Sequence, residues 1–107
     1  LARGAHGPAL ADANQALAFD PRNAVARARR GAAIRLRGGA NANNDAVGEF
    51  NAALVLDPNC GEASWRRGDL LAAIGDLEGA RADLETAKSR AADPEVRRQA
   101  ESTLSRL

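Results

Sequence analysis

Catalysis or metal binding needs nucleophiles, bases or ligands gathered in one place, and this sequence offers few. His6 is the only histidine and Cys60 the only cysteine, and some fifty residues separate them. That spacing predicts no Cys/His pair, no metal-ligand cluster and no nucleophile beside a base, hence no catalytic residues, no metal and no cofactor. A single cysteine forms no internal disulfide and leaves the redox compartment open. Gly38-Gly39 runs into asparagines, without the strand, lysine or hydroxyl of a phosphate-binding loop. The chain reads as a non-enzyme.

What remains is paired charge. Arg67 stands 16 residues before Asp83, and Arg30 stands 19 before Glu49. The two separations coincide once three extra residues are allowed between the members of the second pair. We expect partly buried ion pairs Arg30–Glu49 and Arg67–Asp83 that set the angle of a helical hairpin. The other reading, acid–base chemistry by these carboxylates, lacks any accompanying base or nucleophile. Asp12 occupies the corresponding place one unit earlier.

Both pairs depend on a repeat. The run Asp57-Pro58-Asn59-Cys60-Gly61-Glu62-Ala63-Ser64-Trp65-Arg66-Arg67-Gly68 has a counterpart 37 residues upstream, from Asp20 to Gly31, with Asp, Pro, Ala, Arg, Arg and Gly in the same places. A period of this size marks stacked supersecondary units. Helical spacing predicts helices from Pro8 to about Phe19, Arg22–Arg37, one carrying Ala46, Phe50, Ala53, Leu54 and Leu56, Asn59–Ile74, one from Leu77 to about Ala91, and a last one after Asp93-Pro94 carrying Val96, Ala100, Leu104 and Leu107. Asp-Pro pairs and glycines stop them. Leu1–Gly4 reads as the end of an earlier helix, so the chain is expected to be a piece of a longer protein. Strand patterns are missing. The expected fold is all-α. Alanine at the seams lets helices approach closely.

Overlaying the units aligns Ala46 with Ala80, Phe50 with Leu84 and Ala53 with Ala87, while Pro21 and Pro58 close two of them. Ala46-x3-Phe50 followed by Pro58 resembles the second half of the tetratricopeptide repeat (TPR). The resemblance covers about 90 of the 107 residues. It departs where Arg30 and Arg67 hold the family's leucine site, where Trp65 lies one residue nearer its glycine, and where Ala92 replaces a third proline. It implies a right-handed superhelical stack of helix–turn–helix units, an α-solenoid. Residues 1–21 would be a partial first repeat, 22–58 a second with a three-residue insertion, 59–92 a third, and 93–107 a capping helix.

The resemblance also implies a function, a non-catalytic protein–protein interaction scaffold. In similar proteins the inner face of each first helix grips an extended peptide or a partner's tail. Here that face offers Arg29, Ala32, Arg35 and Leu36 in one unit and Glu62, Trp65, Arg66 and Asp69 in the next. Tryptophan and arginine are the types most enriched at binding hot spots, and arginine's planar fork suits carboxylates. We expect an acidic or C-terminal segment on Arg29, Arg35 and Arg66, with Trp65 against its apolar side chains. The competing reading has Trp65 filling space between units. Family members that hold C-terminal carboxylates use a set of Lys, Asn and Arg, which Arg66 fits. Glu62 and Arg29 stand in the lysine and asparagine places, which speaks against that particular tail.

A net charge of +1 gives no global field for nucleic acid, and no apolar run approaches the ~18 residues of a membrane span. The alternative function is a structural module that stacks with itself or further repeats. It would be a homo-oligomer through an N-terminal helix whose Ala9, Ala13 and Ala16 lie open. Gly38–Asn44 is expected as an extended loop, either a second contact point or a tolerated insertion.

Overall fold

The computed structural model describes residues 2–107, with side chains from His6 onward. Six helices follow in order: α1 (Ala2–Phe19), α2 (Ala24–Arg37), α3 (Ala42–Leu56), α4 (Gly61–Ala73), α5 (Leu77–Arg90) and α6 (Pro94–Leu104). Among the described residues there is no strand. The chain divides into two compact units, 1–58 and 59–107. The division follows Pro58.

In the first unit α2 packs on both α1 and α3. Asn23 caps α2, its Oδ1 accepting from Ala26 N at 3.0 Å, which supplies a partner for one of the donors a helix N-terminus leaves bare. Asp-Pro at 20–21 and at 57–58 ends α1 and α3, because a proline ring disfavours helical geometry in the residue before it. The core is alanine around one ring. Ala28, Ala46 and Ala53 are fully buried, and Phe50 is 1% exposed. Gly31 explains how the ring fits. A Cβ built there would lie 2.7 Å from Phe50 Cε1, so the missing methyl is what lets α2 rest on the ring.

In the second unit α5 packs on α4, and α6 packs on both. Leu84 replaces the ring, with Gly68 opposite it. A Cβ on Gly68 would meet Leu84 Cγ at 2.7 Å. The end of α4 is a Schellman turn, in which Asp76 N donates to Leu71 O at 2.9 Å and Gly75 N to Ala72 O at 3.2 Å. Gly75 takes φ +94° to make it, a region that side chains with a Cβ avoid. Asp76 then caps α5 through Gly79 N, and Asp93 caps α6 through Glu95 N with Pro94 at the first position.

Three expectations need correction. First, α1 does not start at Pro8: the helix already runs at Ala2 and passes through Gly4 and Gly7-Pro8. The usual clash between a proline ring and the Cβ before it does not arise, because residue 7 is glycine. The reading of Leu1 lies outside the described residues. Second, Ala13 is not an open seam. It is 4% exposed and Leu17 8%, on a helix that packs against α2, while Ala16 is half-buried and Ala9 exposed. Third, Gly38–Asn44 is not one loop, since only 38–41 lie between helices and α3 begins at Ala42. Compared with the second hairpin, α2 is one residue longer than α4 beyond its glycine, the turn one longer, and α3 one longer before its first seam alanine. The three extra residues are shared out and add one residue to each helix end.

Candidate functional site

The charged pairs come first, because they fix which face of each hairpin is left for a partner. In the second unit Arg67 meets Asp83 with both prongs of its fork. Nε donates to Oδ2 at 2.7 Å and Nη2 to Oδ1 at 2.8 Å. Asp83 is buried and Arg67 half-buried. The hydrogen bonds it donates to Asp83 raise the Arg67 guanidinium above its usual range. Burial pulls it the other way and the carboxylate's charge adds to the rise. In the first unit Arg30 Nη2 donates to Glu49 Oε2 at 3.2 Å and Arg27 Nη1 to Glu49 Oε1 at 3.4 Å. Arg30 also reaches Asn14 on α1 at 3.1 Å. The sequence reading missed Arg27. It lies one turn before Arg30 on the same helix face, a spacing that could have announced it.

Beyond the pairs, α2 presents a basic face. It carries five arginines and no acid. With Arg27 and Arg30 on Glu49, Arg35 is half-buried and makes no hydrogen bond or ion pair among the described residues. Arg29 is exposed, Ala32 half-buried and Leu36 43% exposed. Val25, 39% exposed, stands on the same side.

On α4 the predicted residues are close together and already engaged. Trp65 is half-buried against a cluster of Ala80, Leu84, Ala87 and Ala100, on which Ala72, Leu104 and Leu107 also pack. Arg66 lies over the indole, its Cζ 4.1 Å from the ring centroid, a cation–π contact. Its Nε also donates to Glu62 Oε2 at 3.2 Å. Glu62 is 8% exposed. Trp65 therefore contributes to the core of its own unit as well as standing on the face of α4 expected to meet a partner. Two atoms on this face have no partner: Trp65 Nε1 and Asp69 Oδ1 are both buried and unbonded.

His6 is half-buried on α1, and Cys60 is buried just before α4. Among the described residues no group of three or more His, Cys, Asp or Glu could hold a metal ion, and no helix is long and apolar enough to cross a membrane.

No protein-family model matches the sequence, and no curated protein matches it. A solved structure of the first TPR of Spaghetti (RPAP3), bound to the HSP90 peptide SRMEEVD, is similar to this chain. The TM-score is 0.66 and the identity 25%, over 95% of this chain and 82% of that one.

Proposed function

We propose that this chain, which has the tetratricopeptide-repeat fold, is a non-catalytic scaffold that binds an acidic peptide segment of a partner protein. The observation that carries the reading is the likeness, over 95% of the chain, to a domain solved with a peptide bound. The composition of α2 supports an acidic partner. With α2 carrying five arginines and no acid, an approaching carboxylate meets at Arg35 a guanidinium with no internal competitor. Trp65 and Arg66 on α4 supply an aromatic and cationic surface of the kind that dominates binding energies. Arg66 is shared with Glu62, so it contributes less than a free arginine would.

The test is titration of labelled SRMEEVD, a short acidic peptide, by fluorescence anisotropy. Arg35→Glu is expected to weaken binding about tenfold or more, with helix content unchanged by circular dichroism. The neutral peptide SRMQQVN should bind the parent protein as poorly. Equal affinity of parent and Arg35→Glu protein for SRMEEVD would remove the acidic-segment reading.

Self-stacking keeps one observation in its favour, since Phe19 is 94% exposed and Val55 83% on the first unit. Light scattering at two concentrations decides. Association would raise the mass with concentration, and a constant monomer mass would end the alternative.

A further inference from the structure

The two unbonded atoms on α4 are complementary. The indole nitrogen of Trp65 can only donate, and the carboxylate of Asp69 can only accept. They are four residues apart on one helix, so the side chains leave the same face about 6 Å apart along the axis. An extended strand presents groups to one side at a repeat of roughly 7 Å, with N–H donors and C=O acceptors together. Every non-proline residue of a main chain offers both.

We propose that Trp65 and Asp69 form a main-chain grip: Trp65 Nε1 donates to a carbonyl of a bound extended segment, and Asp69 Oδ1 accepts from one of its amides. The proposal rests on the peptide-binding reading above and adds to it a hold that does not depend on the segment's sequence. The two atoms are buried in the free chain. A bound segment therefore reaches them only as the side chains around them give way. Arg66, stacked on the indole, holds the ring's orientation while its N–H gains a partner.

The chain has a single tryptophan, so its indole N–H gives one resolvable NMR signal. The full chain is titrated with SRMEEVD. In the free protein the signal should sit at the upfield position of an unbonded indole N–H, then move downfield with peptide. Trp65→Phe, which keeps a ring and loses the donor, should weaken binding about three- to tenfold, and Asp69→Ala by a similar factor. An indole signal already downfield in the free protein, or one unmoved when anisotropy shows the peptide bound, would overturn the grip and leave peptide binding standing. Absence of any binding would remove the peptide-binding reading and the grip with it. The parent protein's signal needs no variant, so a poorly folded mutant does not blunt the test.

Discussion

Phe50→Ala lowers the stability of the first unit by about 3–5 kcal/mol, read from the urea midpoint followed by far-ultraviolet circular dichroism. Phe50 is the largest residue buried there, 1% exposed among buried hydrophobics that are alanine apart from Leu17 at 8%. Alanine neighbours have no long side chains to swing into the space, so most of the cavity stays open and the cost stays within that range. Gly31 sharpens the prediction. Gly31→Ala alone places a methyl 2.7 Å from the ring edge and costs about 1–3 kcal/mol by overpacking. In the Phe50→Ala background the contact with the ring is gone and only Glu49 Cβ, at 3.0 Å, stays close, so the same substitution costs much less or becomes neutral. The two changes must therefore be strongly non-additive. Simple additivity would show that α2 does not rest on that ring.

The second large effect is at Asp83. Asp83→Ala should cost about 3 kcal/mol, because it leaves Arg67 partly buried and without its bidentate acceptor. The Arg67 side chain is 29% exposed, so some water reaches it and the loss falls at the lower end of the range for a stranded charge. Replacing both partners by apolar residues of similar size, Arg67→Met with Asp83→Leu, should recover most of that stability. Recovery would assign the pair an orienting role, and failure to recover would mean the hydrogen bonds themselves hold the hairpin. Nothing as large is expected of Lys88–Glu101, an ion pair between two exposed side chains.

How much of this was legible depends on distance along the chain. The helices and their stops follow from local chemistry. Asp-Pro, capping Asn23, Asp76 and Asp93, and the glycine at 75 act within a turn, and the sequence carries them in full. The pairs Arg30–Glu49 and Arg67–Asp83 were readable because two copies of one hairpin can be compared and the spacing difference equals the insertion. The start of α1 was misread because a Gly-Pro pair suggests a boundary. The preceding glycine in fact removes one steric reason for it, the clash with a Cβ. The end of α3 was clear and its beginning was not, since Ala42-Asn43-Asn44-Asp45 has loop-like composition and becomes helical only as an extension of a packed helix.

The binding face was the least legible. Helical phase placed Glu62, Trp65, Arg66 and Asp69 on one side of α4. It could not say that Arg66 would fold back onto both the indole and Glu62, because that choice depends on which rotamers α5 and α6 leave open. It also could not tell an interior tryptophan from a surface one, and Trp65 is partly each. Thr103 on α6 is buried seven residues after Val96 and three after Ala100, on their stripe, where its polar type hid it.

The scarcity of rings has an optical consequence. With one tryptophan and no tyrosine, ultraviolet emission comes from residue 65 alone, and the span before Pro58 is dark. An emission melting curve would register Asp83→Ala and pass over Phe50→Ala, unless the two halves lose their structure together. Recording emission and ellipticity on the same sample thus measures how tightly the halves are joined in unfolding, with no label attached.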